Sequence, residues 1–253
     1  MDTPSTDASV APETLIAPAK LTLSLRVTGR RDDGYHLIDA EMVSLDFHDR
    51  LEIALGDSLT VVGPHGTETV GPNEDNLVRR ALALAGRTAS VTLHKQIPAG
   101  AGLGGGSADA AAVLRWAGFT DLRTAAALGA DIAFCLVGGR ARVTGIGEIV
   151  DPLPHDHRTF TIVTPPIFCS TRAVYRAWDE MGGPAGDNGN DLEPAALVVA
   201  PELVRWRDEV ADQTDRRPQL AGSGSTWFVE GTFADVGRVV TTVPASERKS
   251  RGD

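Results

Sequence analysis

The sequence predicts an α+β fold in two lobes, and three patterns support this prediction. Residues 19–27 alternate apolar and polar side chains, as the residues of a half-buried strand do. A second strand-like run at residues 90–95 leads into a glycine-rich loop and then into apolar residues at helical spacing. The pattern begins afresh after the Pro- and His-containing stretch 151–157, which indicates a boundary between lobes.

The first strand carries two polar residues of interest. Ala19, Leu21 and Leu25 lie on the core face of the predicted strand. Lys20 and Thr22 lie together on the opposite, non-core face, so they are placed to act together.

Glycines mark the ends of the elements predicted next. In the first lobe these elements are a helix after the glycine-rich loop that stops at Gly118, a helix at 122–128 that stops at Gly129, an apolar run that Asp131 opens and Gly138 closes, and a strand at 140–144.

In the second lobe, Ser170 and Thr171 cap a predicted helix that carries Val174, Tyr175, Trp178 and Met181 on one face. Residues 182–190 are predicted as a loop. A second glycine turn, Gly222-Ser223-Gly224-Ser225, precedes a strand at 226–229.

The composition is that of a water-soluble globular protein. The 253 residues are 42% hydrophobic and 23% charged, and 24 Lys plus Arg against 34 Asp plus Glu give a net charge of −10. This charge argues against nucleic acid or an anionic membrane as a partner. We therefore expect neither of these partners. The expected partner is a small-molecule substrate, and the expected state is a monomer or homodimer.

The chain contains two cysteines and no apolar run long enough to span a bilayer, so a disulfide framework and a membrane span are not expected. The expected location is the cytoplasm. Residues 1–14 and 245–253 are polar or charged and are predicted as flexible tails. The predicted lobes are residues 15–157 and 158–244.

The glycine-rich loop is the main candidate for chemistry. Four glycines and a serine lie between Gly102 and Ser107, and the backbone there can approach a ligand closely. A helix that starts directly afterwards adds unpaired N–H groups and the positive end of its dipole, which together form an anion site. No Gly-Lys-Ser/Thr ends the loop, so it is not a Walker A motif. The structural alternative is a turn that only reverses a strand into a helix.

Residues 98–111, PAGAGLGGGSADAA, resemble the phosphate-loop motif of the GHMP kinase superfamily. Residues 17–23 together with Gly34-Tyr35-His36 resemble the N-terminal motif of one branch of that superfamily. Further pieces occur in the family's order: Asp75-Asn76-Leu77, Leu128-Gly129-Ala130-Asp131, Gly138-Gly139, Ser170-Thr171, Asn190-Asp191-Leu192-Glu193 and Gly222-Ser223-Gly224-Ser225.

The resemblance implies a GHMP kinase fold with an ATP lobe like ribosomal protein S5 and a smaller α+β substrate lobe. It implies transfer of the γ-phosphoryl group of ATP to a hydroxyl of a methylerythritol that carries cytidine diphosphate, in the non-mevalonate isoprenoid pathway. Mg²⁺ would accompany ATP and bind mainly through the phosphates, so no direct protein ligand is named.

In this resemblance Asp131 matches the catalytic aspartate, which accepts the hydroxyl proton, and Lys20 matches a lysine that keeps it ionised. The structural alternatives are a helix N-cap for Asp131 and a solvated strand lysine for Lys20. The residues that the resemblance assigns to ATP are Asn76, Pro98, Gly100, Gly102, Leu103, Gly104, Gly105, Gly106 and Ser107. Asn76 has the alternative of a helix cap.

Tyr35 and His36 match positions that bind the cytidine, and Tyr175 matches a second aromatic on its far side. Tyr175 has the alternative of a core residue, in which case Phe168 is the stacking partner. The full set assigned to the substrate is Thr22, Tyr35, His36, Thr171, Tyr175, Gly222, Ser223 and Gly224.

Two departures from the family pattern leave other functions open. Thr22 stands where the family usually has Asn, and the segment from Ser107 to Asp131 is shorter than the pattern predicts. The alternatives are a superfamily kinase for homoserine, mevalonate or a sugar, and a nucleotide-binding homologue with impaired catalysis.

Overall fold

The computed structural model describes residues 12–64 and 74–245, and these residues form ten strands and seven helices. The strands are β1 Glu13–Arg30, β2 His36–Ala54, β3 Ser58–Val62, β4 Ser90–His94, β5 Arg140–Gly145, β6 Ile149–Leu153, β7 Thr159–Val163, β8 Gln219–Leu220, β9 Trp227–Glu230 and β10 Arg238–Val243.

The helices are α1 Leu77–Leu84, α2 Gly105–Trp116, α3 Leu122–Leu128, α4 Ala130–Val137, α5 Thr171–Glu180, α6 Glu193–Val199 and α7 Leu203–Thr214. The predicted mixture of strands and helices is confirmed. In the part of the chain that the structure describes, no helix combines the length and the apolar character needed to cross a membrane.

A long antiparallel hairpin, β1 and β2, forms the centre of the first lobe. Leu21 and Leu25 are buried as predicted, but Lys20 and Thr22 on the other face are buried as well. Bulges between Pro18 and Lys20 and between Thr22 and Ser24 interrupt the regular alternation. The polar face of this strand is therefore a covered surface rather than a solvated one.

The sheet is continuous across both predicted lobes. The predicted boundary at 151–157 includes the end of β6 at Leu153 and most of the connection to β7, which begins at Thr159. However, β10 pairs with β7 through residues 238–241 and with β2 through Thr242 and Val243. The loop before α6 also returns to β1, where Leu25 N donates to Gly189 O at 2.8 Å. The two lobes thus share one sheet and a second backbone connection.

Helix α2 is buried because its sequence is rich in small residues. Ala108, Ala110, Ala111 and Ala112 are all buried, and they let the helix lie close to β1 and to α4. Val113 and Leu114 fill the space that remains at the C-terminal end of this run.

The predicted ends of several elements are confirmed by their caps. Helix α3 ends at Gly129, and the side chain of Ser170 accepts a hydrogen bond from Ala173 N at the start of α5. Met181 is the C-cap of α5 and is exposed, so the helix face predicted to run from Val174 to Met181 ends at Trp178.

The predicted N-terminal tail is wrong for its last two residues. Strand β1 begins at Glu13, which pairs with Ile53 and accepts a hydrogen bond from Trp116 Nε1 at 3.0 Å. Residues 1–11 of that predicted tail, and residues 246–253 of the C-terminal one, lie outside the described residues.

Truncation of one buried side chain in α2 tests this packing. Leu114 is 0% exposed, so we expect Leu114→Ala to lower the free energy of unfolding by about 2–5 kcal/mol, through lost burial and an unfilled cavity. Leu55→Ala is the matched control, because Leu55 is 90% exposed and its loss should cost less than about 0.5 kcal/mol. Urea denaturation of both variants measures the difference, and equal costs would contradict the packing described.

Candidate active site

The glycine-rich loop joins β4 to α2 and adopts a conformation that only glycine takes readily. Gly100, Gly102 and Gly104 have φ values of +70°, +78° and +67°. Gly104 is the N-cap of α2 and provides no side-chain hydrogen bond to the helix. No side chain of the N-cap therefore occupies the first N–H groups of this 12-residue helix, where an anion is predicted to bind.

A second glycine turn lies directly against the first. A Cβ on Gly102 would collide with Ala221 O and would lie 2.9 Å from Gly224 O. A Cβ on Gly222 would lie 3.4 Å from Lys20 Nζ. The absence of side chains at these two positions lets the two backbones and the lysine pack together.

Lys20 and Asp131 meet where the two turns approach each other. Lys20 Nζ lies 3.4 Å from Asp131 Oδ2 and donates to Thr22 Oγ1 at 3.1 Å. The Lys20 side chain is 6% exposed, whereas that of Asp131 is 33% exposed. A carboxylate that is open to a cleft and paired with a buried cation on its other side can accept a proton from a ligand.

The structure excludes the alternative roles for these two residues. The N-cap of α4 is Gly129, and Asp131 lies in the first helical turn, so Asp131 is not the cap. Lys20 is buried and paired, so it is not a solvated strand lysine.

Thr171 and Ser223 connect α5 to the second glycine turn, because their hydroxyl oxygens lie 2.9 Å apart. Asn190, to which sequence reasoning assigned no role, holds the same turn from behind. Its side-chain amide donates to Leu220 O at 2.9 Å and to Gly222 O at 2.7 Å. The position of Gly222 beside Lys20 therefore depends on a residue 32 positions away in the chain.

Two of the ring side chains that the resemblance assigns to the cytidine contact each other directly. Tyr175 stacks on the imidazole of His36, with ring centroids 4.6 Å apart and planes 24° apart, whereas Tyr35 is 59% exposed. Burial raises the pKa of the Tyr175 phenol, so this group is uncharged at neutral pH. Phe168, the other predicted stacking partner, is exposed and lies over Gly100.

Asn76 caps α1, since its side-chain oxygen accepts from Val78 N at 2.9 Å, and it also faces the cleft. The predicted cap is thus confirmed, and Asn76 also lines the cleft.

Most of the residues described above line one cleft of about 1090 Å³. The predicted site residues that line it are Lys20, Thr22, Tyr35, His36, Asn76, Pro98, Gly100, Gly102, Gly104, Gly105, Gly106, Ser107, Asp131, Thr171, Tyr175, Gly222 and Ser223. Two predicted residues do not line it. Leu103 points into the core, where its carbonyl accepts from Lys20 N, and Gly224 packs against Leu220 and Cys169.

Four charged residues that line the cleft were not among the predicted site residues. Arg30 and Asp179 belong to the far end of the cleft, and Lys95 and Asp109 to its wall beside α2. Asp179 follows Tyr175 by four residues, a spacing that places both on one side of a helix.

Lys95 binds two aspartates beneath the start of α2. Its Nζ donates to Asp109 Oδ2 at 2.8 Å and to Asp49, whose other oxygen accepts from Ile97 N at 2.9 Å. Asp109 Oδ1 is buried and has no partner within the described residues. Burial raises the pKa of Asp109 to about 7, against the lowering effect of Lys95. The Lys95–Asp49–Asp109 cluster packs directly against the end of the glycine-rich loop, because a Cβ on Gly105 would lie 3.0 Å from Lys95 Nζ.

Known proteins are similar to this chain in sequence and in fold. The family described as the N-terminal domain of GHMP kinases matches residues 76–139. A protein from Paracoccus denitrificans (strain Pd 1222), named 4-diphosphocytidyl-2-C-methyl-D-erythritol kinase, is 40% identical over an alignment of 238 positions, and the alignment covers 86% of each chain. The chain belongs to the 4-diphosphocytidyl-2-C-methyl-D-erythritol kinase family.

Solved structures agree with this family assignment. The crystal structure of a 4-(cytidine 5'-diphospho)-2C-methyl-D-erythritol kinase has a TM-score of 0.72 and 31% identity, and the match covers 92% of this chain and all of that one. Homoserine kinase from Cytophaga hutchinsonii, at a TM-score of 0.59 and 16% identity, shares the fold over 97% of this chain. The predicted superfamily and the predicted GHMP kinase fold are confirmed.

A pair of glycine variants tests the contact between the two turns. Gly102 and Gly118 have nearly the same φ, +78° and +77°, but a Cβ on Gly118 would meet nothing within 4 Å. We expect Gly118→Ala to cost about 1–2 kcal/mol of stability from backbone strain alone. Gly102→Ala should cost at least ~1 kcal/mol more and weaken ATP binding, because the second turn must move. Denaturation and calorimetric titration with ATP measure both effects, and equal behaviour of the variants would contradict the contact.

The Asp109 carboxyl predicts a pH dependence of stability. Its pKa is about 7 in the folded chain and near 3.8 when exposed, so between these values the folded state binds more protons. This group therefore makes the protein less stable as the pH rises from 4 to 7. We expect Asp109→Asn to gain stability relative to the wild type across that window.

Urea denaturation at several pH values measures this difference. Asp235→Asn is the control, because Asp235 is exposed and its variant should follow the wild-type curve. A constant difference between Asp109→Asn and the wild type from pH 4 to 8 would contradict the raised pKa.

Proposed function

We propose that this chain uses ATP to phosphorylate the 2-hydroxyl of 4-diphosphocytidyl-2-C-methyl-D-erythritol, a step of the non-mevalonate isoprenoid pathway. The Lys20–Asp131 pair carries the proposal, because it places a cation and an accessible carboxylate where two glycine turns meet. The names and the coverage of the relatives support the choice of substrate.

ATP would bind with its phosphates at the glycine-rich loop. The N–H groups at the start of α2 face the cleft without a side-chain cap, and the dipole of that helix favours negative charge. In a protein with a net charge of −10, this local arrangement supplies the attraction that the overall charge does not.

Asp131 would act as the base. Its carboxylate accepts the proton of the 2-hydroxyl as the oxygen attacks the γ-phosphorus of ATP and the bond to ADP breaks. Lys20 stays on the opposite side of the carboxylate, where its charge favours the ionised form of Asp131 and offsets charge that develops on the transferred group.

Mg²⁺ belongs to the same proposal. The hard oxygen donors that this cation prefers are present in the cleft as the Ser107 hydroxyl and the Asp131 carboxylate. When bound with ATP, Mg²⁺ supplies positive charge to the phosphate oxygens.

The opposite end of the cleft would hold the cytidine diphosphate. Tyr35, His36 and Tyr175 provide aromatic surface there, and Thr171 and Ser223 provide hydroxyl groups between that end and Lys20. The order of these groups along the cleft matches a long substrate whose alcohol reaches the phosphate loop while its base lies at the far end.

A steady-state assay of ADP release tests the function. With ATP, Mg²⁺ and 4-diphosphocytidyl-2-C-methyl-D-erythritol, we expect turnover that homoserine and mevalonate do not support. Asp131→Asn should lower kcat by about 10²- to 10⁴-fold, since the amide cannot accept the proton. Asp235→Asn should match the wild type, because Asp235 is exposed and does not line the cleft.

Turnover on another alcohol alone would replace the proposed substrate. ATP binding without turnover on any of the three would favour an impaired nucleotide-binding homologue. Near wild-type turnover in a folded Asp131→Asn variant would remove Asp131 as the base.

A further inference from the structure

One buried side-chain amide, that of Asn190, bonds to the second glycine turn at two points. Asn190 is 3% exposed, and each of its polar atoms has a partner. Its Nδ2 donates to Leu220 O at 2.9 Å and to Gly222 O at 2.7 Å, while its Oδ1 accepts from Leu192 N at 2.9 Å. Two carbonyl groups on one side and an N–H group on the other allow only one orientation of this amide in which all three bonds form.

The loop that carries Asn190 is fastened to β1, the strand that also carries Lys20. Leu25 N donates to Gly189 O at 2.8 Å, and Asp191 N donates to Leu25 O at 2.9 Å. The Asp191 carboxylate also accepts from the β1 backbone at 2.9 Å. Asn190 therefore has a fixed position relative to the lysine of the site.

The bond to Gly222 O fixes the direction of one peptide group. Gly224 N donates to Ala221 O at 3.0 Å, so Gly222 and Ser223 are the two central residues of a β-turn. The peptide between them can rotate without breaking that bond, and a glycine on its N-terminal side offers little steric resistance. The Asn190 amide prevents this rotation, because it holds the carbonyl end of the peptide.

The N–H of Ser223 belongs to the same peptide and points the opposite way, since C=O and N–H lie on opposite sides of a planar trans peptide. Gly222 O points to Asn190, which does not line the cleft, whereas Gly222 and Ser223 do line it. The Ser223 N–H is therefore directed to the cleft side of the turn. Among residues 12–64 and 74–245, no group accepts a hydrogen bond from it.

This N–H lies beside the cation of the site. A Cβ on Gly222 would lie 3.4 Å from Lys20 Nζ, and the turn packs against the glycine-rich loop at Gly102. A backbone donor next to a lysine and a phosphate loop suits an anionic oxygen, and a donor already held in direction needs no reorganisation to bind it. After a rotation of the peptide, the Gly222 carbonyl would face the same anion and repel it.

We propose that Asn190 is a positioning residue for phosphoryl transfer, which holds the Gly222–Ser223 peptide so that the Ser223 N–H donates to a phosphate oxygen beside Lys20. That oxygen belongs to ATP or to the diphosphate of the second substrate, and adding each nucleotide separately distinguishes the two sources. This inference rests on the proposed function, because it concerns a phosphate-binding group in the same cleft.

Two substitutions of Asn190 remove the donor in different ways. Asn190→Ala leaves Leu220 O and Gly222 O without this partner, so the peptide is no longer held. Asn190→Asp places a carboxylate there, which repels both carbonyl oxygens and attracts an N–H instead. A protonated carboxyl recovers one donor, so the defect of Asn190→Asp should grow as the pH rises, whereas the defect of Asn190→Ala relative to the wild type should not change with pH.

Asn188→Ala is the matched control in the same loop. Asn188 Nδ2 donates to Pro218 O at 2.6 Å, two residues before Leu220, and neither Asn188 nor Pro218 lines the cleft. This control removes a bond between the same two segments of the chain without touching the turn. We expect it to lower the stability to urea and to leave kcat/KM within about twofold of the wild type.

Steady-state kinetics of the variants is the first readout, with urea denaturation to establish that each variant is folded. We expect Asn190→Ala to lower kcat/KM by about tenfold or more, the size of a hydrogen bond to a charged oxygen. Asn190→Asp should lower it by about 10²-fold at the high end of the pH range, the size of one lost donor to an oxyanion. Equal kcat/KM values for folded Asn190→Ala and Asn188→Ala would overturn the proposal.

NMR of the Ser223 backbone amide, assigned with selective serine labelling and Ser223→Ala, is the second readout and needs no turnover. In the wild type we expect its proton resonance to move downfield when ATP or cytidine 5'-diphosphate binds. A response to ATP alone assigns the bond to the phosphates of ATP, and a response to cytidine 5'-diphosphate alone assigns it to the substrate diphosphate. No response to either bound nucleotide, or the same response in folded Asn190→Ala, would overturn the proposal.

The two readouts separate this inference from the proposed function. A wild type whose Ser223 amide responds to a nucleotide, but which phosphorylates none of the candidate alcohols, would refute the proposed function and leave the positioning by Asn190 in place. A wild type that phosphorylates the proposed substrate, with unchanged kcat/KM in folded Asn190→Ala, would refute the positioning alone.

Discussion

Close contact between two glycine turns is the constraint on which the site depends. Lys20 N donates to Leu103 O at 3.0 Å and Thr226 N donates to Ala101 O at 3.1 Å, so β1, the glycine-rich loop and the segment before β9 are joined through their backbones. These bonds form only because Gly102 has no side chain to separate the two turns. The amino group of Lys20 reaches Asp131 as a result of this backbone packing.

Burial of charge in this region is balanced by pairing. Lys20 has Asp131 and Thr22, and Lys95 has Asp49 and Asp109. A buried charge without a partner would cost several kcal/mol, so each of these cations depends on residues from other elements. The Lys95 pairs also connect the residues beneath the glycine-rich loop to β2 and to α2.

The glycine-rich loop and α2 could be predicted from the sequence because the residues that determine them are neighbours in the chain. Glycines that permit positive φ and alanines that permit close helix packing are visible one residue at a time. Strand β2 was not found, although it is 19 residues long, because its buried residues change phase between Met42 and Val43. An alternation that shifts by one residue no longer resembles a single strand.

The parts of the site that sequence reasoning missed depend on long-range contacts. The burial of Lys20 comes from turns that are about 80 and 200 residues away, a separation that no local window spans. The stacking of Tyr175 on His36, rather than across a gap from Tyr35, follows from the contact of α5 with the start of β2. Asn190 and Asp179 were overlooked for the same reason, since their partners lie in other elements.

Strand β10 has a consequence for how the enzyme handles its substrates. Because it pairs with β7 at one end and with β2 at the other, the two lobes cannot swing apart as bodies about a hinge without breaking sheet hydrogen bonds. The Lys20–Asp131 pair is therefore in place before any substrate arrives, and no binding energy is spent on assembling it. Adaptation to each substrate falls instead to individual side chains and to the loop at 31–35, whose exposed Tyr35 stands at the mouth of the cleft.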